Sequence, residues 1–284
     1  MRSLSTTFRY TLTRLRAQIL GWGIGLALYG LMIVPFYRIF GAQQERFQQM
    51  LASYPPEFLA FCGADTASML TPAGFLKMSA FSMLPLIIGI FAVVAGSGLF
   101  ASDEEHGRLD LILAHPVGRT PFFLGRCLAL GVAALLIALL GWLGFCILLH
   151  GSSLGISWGQ MSLPFLSLLI QLLVYATLAL LLSMLLPSRN LAAAFAGALL
   201  VVSYFLSSLA FLDARLEAVA RILPHSYFQP VLSLQDLHLT WLAGLLGVCL
   251  VMTVLAWLRF VRRDVRLSGE GSWQAPLLRR RKPA

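Results

Sequence analysis

Two stretches of this chain, 127–149 and 191–212, carry no charged residue at all over more than twenty positions each. A helix of about 20 apolar residues is long enough to cross about 30 Å of hydrocarbon. Buried helices of soluble proteins are usually shorter. Composition agrees with a membrane setting. Hydrophobic residues make up 58% of the 284 positions and charged residues 12%, against roughly 25% charge in a soluble domain. Mean hydropathy is +0.82. The predicted fold is an all-α integral membrane protein with about six transmembrane helices, at 17–39, 77–101, 124–149, 161–186, 191–212 and 240–260.

The lysines and arginines set the expected orientation. Sixteen of the 21 basic residues fall before the first span, between the second and third, between the fourth and fifth, or after the sixth. By the positive-inside rule these segments and both termini are cytoplasmic. The same asymmetry accounts for the net charge of +9. Nucleic acid is set aside as a partner, because the charges are divided among span flanks and no aromatic–basic groove is visible. The expected partner surface is the lipid bilayer.

Residues 1–16 read as an amphipathic cytoplasmic helix. Leu4, Phe8, Leu12, Leu15 and Ile19 recur at spacings of four and three, with Arg2, Arg9 and Arg16 on another face. Such a helix can lie in the interface with arginines at anionic headgroups; the alternative is that it extends the first span. Residues 261–284 form a basic tail. No cleavable signal is recognised at the start. The external segments 40–76 and 213–239 are too small for globular domains. Leu216, Val219, Ala220 and Leu223 in the second suggest a short helix ended by Pro224. No internal repeat is found.

The segment 102–119 stands out. It holds four of the twelve acidic residues. Ser102 and Glu105 have capping-box spacing, so a helix is expected to start there, with Asp103, Glu104 and Glu105 in its first turn. Leu109, Ile112 and Leu113 make one apolar stripe, and Pro116 ends the helix. A short charged helix of this kind is suited to docking in a partner's groove; a solvated connection is the alternative.

Chemistry in the chain itself finds little support. The four cysteines show no ligand spacing and no disulfide framework. His106 and His115 flank the charged helix, and His225 and His238 lie near Asp236, but neither pair is organised as a metal site. No HExxH or intramembrane carboxylate is recognised, which speaks against a membrane enzyme and a proton-coupled carrier. Only two lysines occur, Lys77 and Lys282. Neither stands in a Walker A loop, which needs Lys followed by Ser or Thr to hold phosphates and magnesium.

The run Glu105-x-Gly107-x-Leu109-Asp110-Leu111-Ile112-Leu113-Ala114-x-Pro116-Val117-x-Arg119 resembles the cytoplasmic signature of type-2 ATP-binding-cassette (ABC) exporter permeases. Arg108 and Gly118 stand where that pattern has threonine and serine. Gly125-Arg126 stands where the family often has Gly-Lys. Pro224-His225-Ser226-Tyr227-Phe228-Gln229-Pro230 is similar to the family's Pro-x-x-Tyr-Phe-x-Pro segment before the last span.

The resemblance implies a permease subunit of an ATP-driven exporter in a bacterial plasma (inner) membrane. It further implies no cofactor in this chain, ATP and Mg bound by a partner ABC ATPase subunit, and a second permease copy or paralogue. Glu105, Gly107, Arg108, Leu109, Asp110, Ile112, Leu113 and Arg119 would couple to the ATPase, with the leucines and Ile112 filling its groove and Arg119 making a charged contact. Gln171 and Pro85 are candidates for the pathway or for packing, Gln171 alternatively for an interhelical hydrogen bond. Gly21, Gly25 and Gly197 are candidates for close helix approach, between subunits or within one. Two other readings are a non-transporting anchor or scaffold of a lipid-modifying complex and a membrane-embedded enzyme.

Overall fold

A computed structural model describes residues 2–42, 49, 53–55, 71–109, 118–152, 154–210, 214–233 and 235–262. Among these, every regular element is helical. Helix α1 is Arg2–Ala42, α2 Pro72–Leu76, α3 Leu84–Glu105, α4 Arg119–Ile147, α5 Trp158–Leu185, α6 Arg189–Leu209, α7 Ala214–Ala220 and α8 Leu239–Arg262. Six stretches are long and apolar enough to span a bilayer: Ser3–Ile39, Pro72–Glu105, Arg119–Ile147, Trp158–Leu185, Arg189–Leu209 and Leu239–Arg262. In hydrocarbon each backbone polar group needs a partner inside its own segment, which a helix supplies.

Residues 2–16 are the first turns of α1, continuous with the first span rather than a separate helix. Thr11, Leu15 and Ile19 are buried, and α1 packs chiefly along α4. Small residues make this approach close. A Cβ on Gly144 would lie 2.3 Å from the Ala27 Cα. A Cβ on Gly96 would lie 2.2 Å from the Ala176 carbonyl oxygen, where α3 meets α5. Without a hydrophobic force between helices in lipid, such contacts depend on small side chains and dispersion.

The predicted small-residue positions behave differently. A Cβ on Gly21, Gly25 or Gly197 would meet nothing within 4 Å. Among the described residues, none of the three marks a close helix approach.

The second span is interrupted before Pro85. One π turn, Lys77–Phe81, follows α2, and α3 begins only at Leu84 with Pro85 in its first turn. A proline lacks the N–H that would bond to the carbonyl four residues earlier, so it is tolerated at a helix start and breaks a continuing one. Pro85 is buried in the first turn of α3. Helix α5 opens with a capping box in which Ser157 and Gln160 serve each other's backbone N–H. Gln171 of α5 is fully buried, and neither its amide nor the Tyr175 hydroxyl has a hydrogen-bond partner of good geometry among the described residues.

Candidate functional site

The chain alternates in direction, so six span ends lie at one end of the bundle: the starts of α1, α4 and α6 and the ends of α3, α5 and α8. Side chains tie five of them together. Asp103, in the last turn of α3, is 1% exposed. Its Oδ1 accepts from Arg14 Nη1 of α1 at 2.6 Å, and its Oδ2 accepts from Arg126 Nη2 of α4. Arg14 also donates to the Ser102 hydroxyl at 3.1 Å.

Arg126 is itself 1% exposed. Its Nη1 donates to the Leu99 carbonyl, and its guanidinium carbon lies 4.5 Å from the Phe122 ring centroid and 5.2 Å from that of Phe100. A buried charge is tolerated only when paired and hydrogen-bonded, and aromatic faces add cation–π attraction. Phe100, Phe122, Phe123 and Phe260 of α8 cluster around it, with Phe100 and Phe260 5.0 Å apart.

Two further contacts complete the junction. Glu105 Oε1 accepts from the backbone N–H of Arg189 at 3.1 Å, placing a carboxylate at the start of α6, where the helix dipole favours it. Ser188 caps the same end by accepting from the Leu191 N–H. Arg119 donates to the Val261 carbonyl at 3.0 Å, a cation on one of the last carbonyls of α8. Trp257 Nε1 of α8 donates to the Thr120 hydroxyl at 3.3 Å.

Several sequence expectations are corrected here. The charged segment does not begin a helix at Ser102. Ser102, Asp103, Glu104 and Glu105 are the last turn of α3, held in helix because Asp103 finds two arginines far away in sequence. The break comes at Gly107, which has φ +63° and donates its N–H to the Glu104 carbonyl at 3.0 Å. That left-handed conformation is the usual helix stop and suits glycine. Arg108 and Leu109 then resume helical geometry.

Leu109 is 3% exposed and belongs to the chain's own core, so it does not fill a partner's groove. Arg119 reaches α8 of its own chain. Arg108 is exposed. Asp110, Ile112, Leu113, His115 and Pro116 lie outside the described residues, as does the tail from 263. The helix of the second span also runs on past the expected end at 101, so that its last turn carries Asp103, Glu104 and Glu105.

Sequence reasoning missed the triad Arg14–Asp103–Arg126. A signal was present: a cluster of acids, Asp103 to Glu105, just past the edge of the second span, and Arg126 just before the uncharged run that begins at Cys127. Gly125 supports the site, because a Cβ there would lie 3.0 Å from the Leu4 carbonyl of α1.

At the other end of the bundle, the Pro224–Pro230 segment is pinned to two spans. Its His225 N–H donates to Ser203 of α6 at 3.0 Å, and its Gln229 N–H to Ser167 of α5 at 2.9 Å. The Gln229 amide clamps the His238 backbone on both sides. His225 lies against Tyr204 and Phe228, and burial pushes its pKa down to about 4. The His238 ring lies against Trp241. Among the described residues no three His, Cys, Asp or Glu side chains group as metal ligands would.

Comparison with known proteins gives one answer. No curated protein matches the chain. A family model described as "ABC-2 family transporter protein" matches residues 13–265, which includes all six spans nearly in full and the whole junction. The chain therefore belongs to the ABC-2 family of transporter proteins, as a multi-pass membrane permease component of an ABC transporter.

Proposed function

We propose that this chain is the permease subunit of an ATP-driven exporter, with ATP and magnesium bound by a separate ATPase subunit. It sits in a bacterial plasma membrane with both termini cytoplasmic, and pairs with a second copy or a paralogue. The observation that carries the reading is the junction. The segment between Glu105 and Arg119 is anchored at both ends to helices that are themselves cross-linked. Glu105 holds α6, Arg119 holds α8, and Asp103 two residues earlier holds α1 and α4. A force applied to this segment by a closing ATPase would therefore reach five helices at once. Packed, hydrogen-bonded elements carry such coupling because they move as bodies. Gly21, Gly25 and Gly197 leave open helix surface that favours a subunit contact.

Arg108 is the best probe, since it is exposed at the segment. A photo-crosslinker placed at position 108 in native membranes is expected to capture an ABC ATPase. Arg108→Glu is expected to reduce transport-coupled ATPase activity while membrane insertion and melting stay unchanged. Capture of no ATPase, together with unaltered transport in Arg108→Glu, would overturn the coupling role.

A further inference from the structure

Beside the buried triad is a cleft of about 180 Å³ between α1, α3, α4 and α6. That is more than ten times the ~10–15 Å³ a single water needs. Three guanidinium groups line it, those of Arg14, Arg126 and Arg189, together with Gln18. Opposing them are Asp103, shared by Arg14 and Arg126, and Glu105 at the start of α6. The surplus is positive, and the first turn of α6 adds the partial positive charge of its helix dipole.

The donors are not used up. Arg126 Nε is buried and has no hydrogen-bond partner. The Arg189 guanidinium lies over Gly98, 3.1 Å from where a Cβ would stand, and no partner for it is found among the described residues. The Gln18 side-chain oxygen is buried without a partner. Rotated by half a turn, that amide presents an N–H to the same place. The unpaired buried Nε of Arg126, beside the half-buried Arg189 guanidinium in a cationic cleft, is an unmet demand for an oxyanion, and guanidinium forks match phosphate geometry.

The cleft also faces the right medium. Helices α1 and α6 flank it without packing extensively on each other. Val94, on its wall, is 38% exposed and continues an exposed apolar stripe through Ile90 and Ile87 of α3. This stripe runs from the arginines toward the bilayer centre. A phosphate held above an apolar track is the arrangement a phospholipid presents.

We propose that this cleft binds a phosphate group, supplied by the headgroup of an anionic phospholipid whose chains lie along Ile87, Ile90 and Val94. The proposal goes beyond the export reading and does not depend on it. The bound phosphate would complete the hydrogen bonding of Arg126 and bridge α1 to α6, which pack little on each other.

The test uses the full chain in native mass spectrometry and melting assays. Phosphatidylglycerol is compared with phosphatidylcholine in nanodiscs, and inorganic phosphate is added to lipid-free detergent samples. Wild type is expected to retain phosphatidylglycerol and to melt higher with it than with phosphatidylcholine. Arg189→Gln, which spares the triad, is expected to lower that preference about tenfold, the loss of one charge-assisted contact. Gly98→Leu, which fills the cleft from the other wall, should do the same. Arg9→Gln, on an exposed surface, should leave it intact. Equal phosphatidylglycerol retention by wild type, Arg189→Gln and Gly98→Leu overturns the proposal. Stabilisation by inorganic phosphate without lipid preference, lost in Arg189→Gln, keeps the phosphate site and overturns the lipid as its source.

Discussion

Replacing Asp103 by Asn tests whether the junction is an ion cluster or merely three polar neighbours. The substitution keeps side-chain volume, so no cavity cost enters. It removes the only carboxylate that pairs with Arg126 among the described residues, and the Arg126 side chain is 1% exposed. Breaking a buried pair by removing one partner costs about 3–5 kcal/mol, because the remaining charge is stranded. Arg14 adds little, since at 36% exposure it can turn toward water. The Leu99 carbonyl and the faces of Phe100 and Phe122 still hold Arg126, which places the cost near the lower bound, about 3 kcal/mol.

Fluorescence-detected melting in detergent is expected to show a fall on the order of 10 °C. The double substitution Asp103→Leu with Arg126→Met removes both charges and keeps the volume apolar. It should recover most of the loss, because an ion pair replaced whole by apolar groups is often neutral. A single Asp103→Asn that melts within 1 °C of wild type, or a double variant no better than the single, would refute the argument.

Three smaller perturbations follow from the geometry. Gly96→Ala sets a methyl against the Ala176 carbonyl and should cost about 1–3 kcal/mol in melting experiments, whereas Gly21→Ala meets nothing and should change stability by at most about 1 kcal/mol, upward. Gly107→Ala forces an L side chain to φ +63°; the expected cost is about 1–2 kcal/mol, read as faster hydrogen exchange at the end of α3, and Gly107→Asn should lose less. His225 titrates near 4 in the fold against 6.5 when free. The folded state thus prefers the neutral ring, its contribution is complete above pH 6.5, and stability falls as pH drops from 6.5 toward 4, by at most about 3 kcal/mol. His225→Phe, which keeps the ring between Tyr204 and Phe228, should flatten that dependence between pH 7 and 5.

The membrane character, the number of spans and the lack of a Walker A loop were legible without coordinates. So was the special status of 102–119, though not its geometry. An uncharged run of twenty residues is a local property, and its transfer into hydrocarbon depends on no distant partner. That neither lysine has Walker A neighbours is likewise a local fact of the sequence.

Other features depended on residues far apart in the chain. Asp103 meets Arg126 across 23 positions and Arg14 across 89, and these two contacts turn an expected helix start into a helix end. Leu109 read as an outward anchor because it shares a stripe with Ile112 and Leu113, yet it packs inward. Gly21, Gly25 and Gly197 read as close-packing positions, while Gly96 and Gly144 form the close contacts.

The physical reason is common to all of these. In water, the apolar face of a helix marks the side that packs. In a bilayer, lipid tails are as apolar as leucine, so a span that is hydrophobic all round does not announce which face meets its neighbour. The sequence by itself determined that these helices enter the membrane. Only the tertiary structure decided which faces meet there, and which arginines find the buried Asp103.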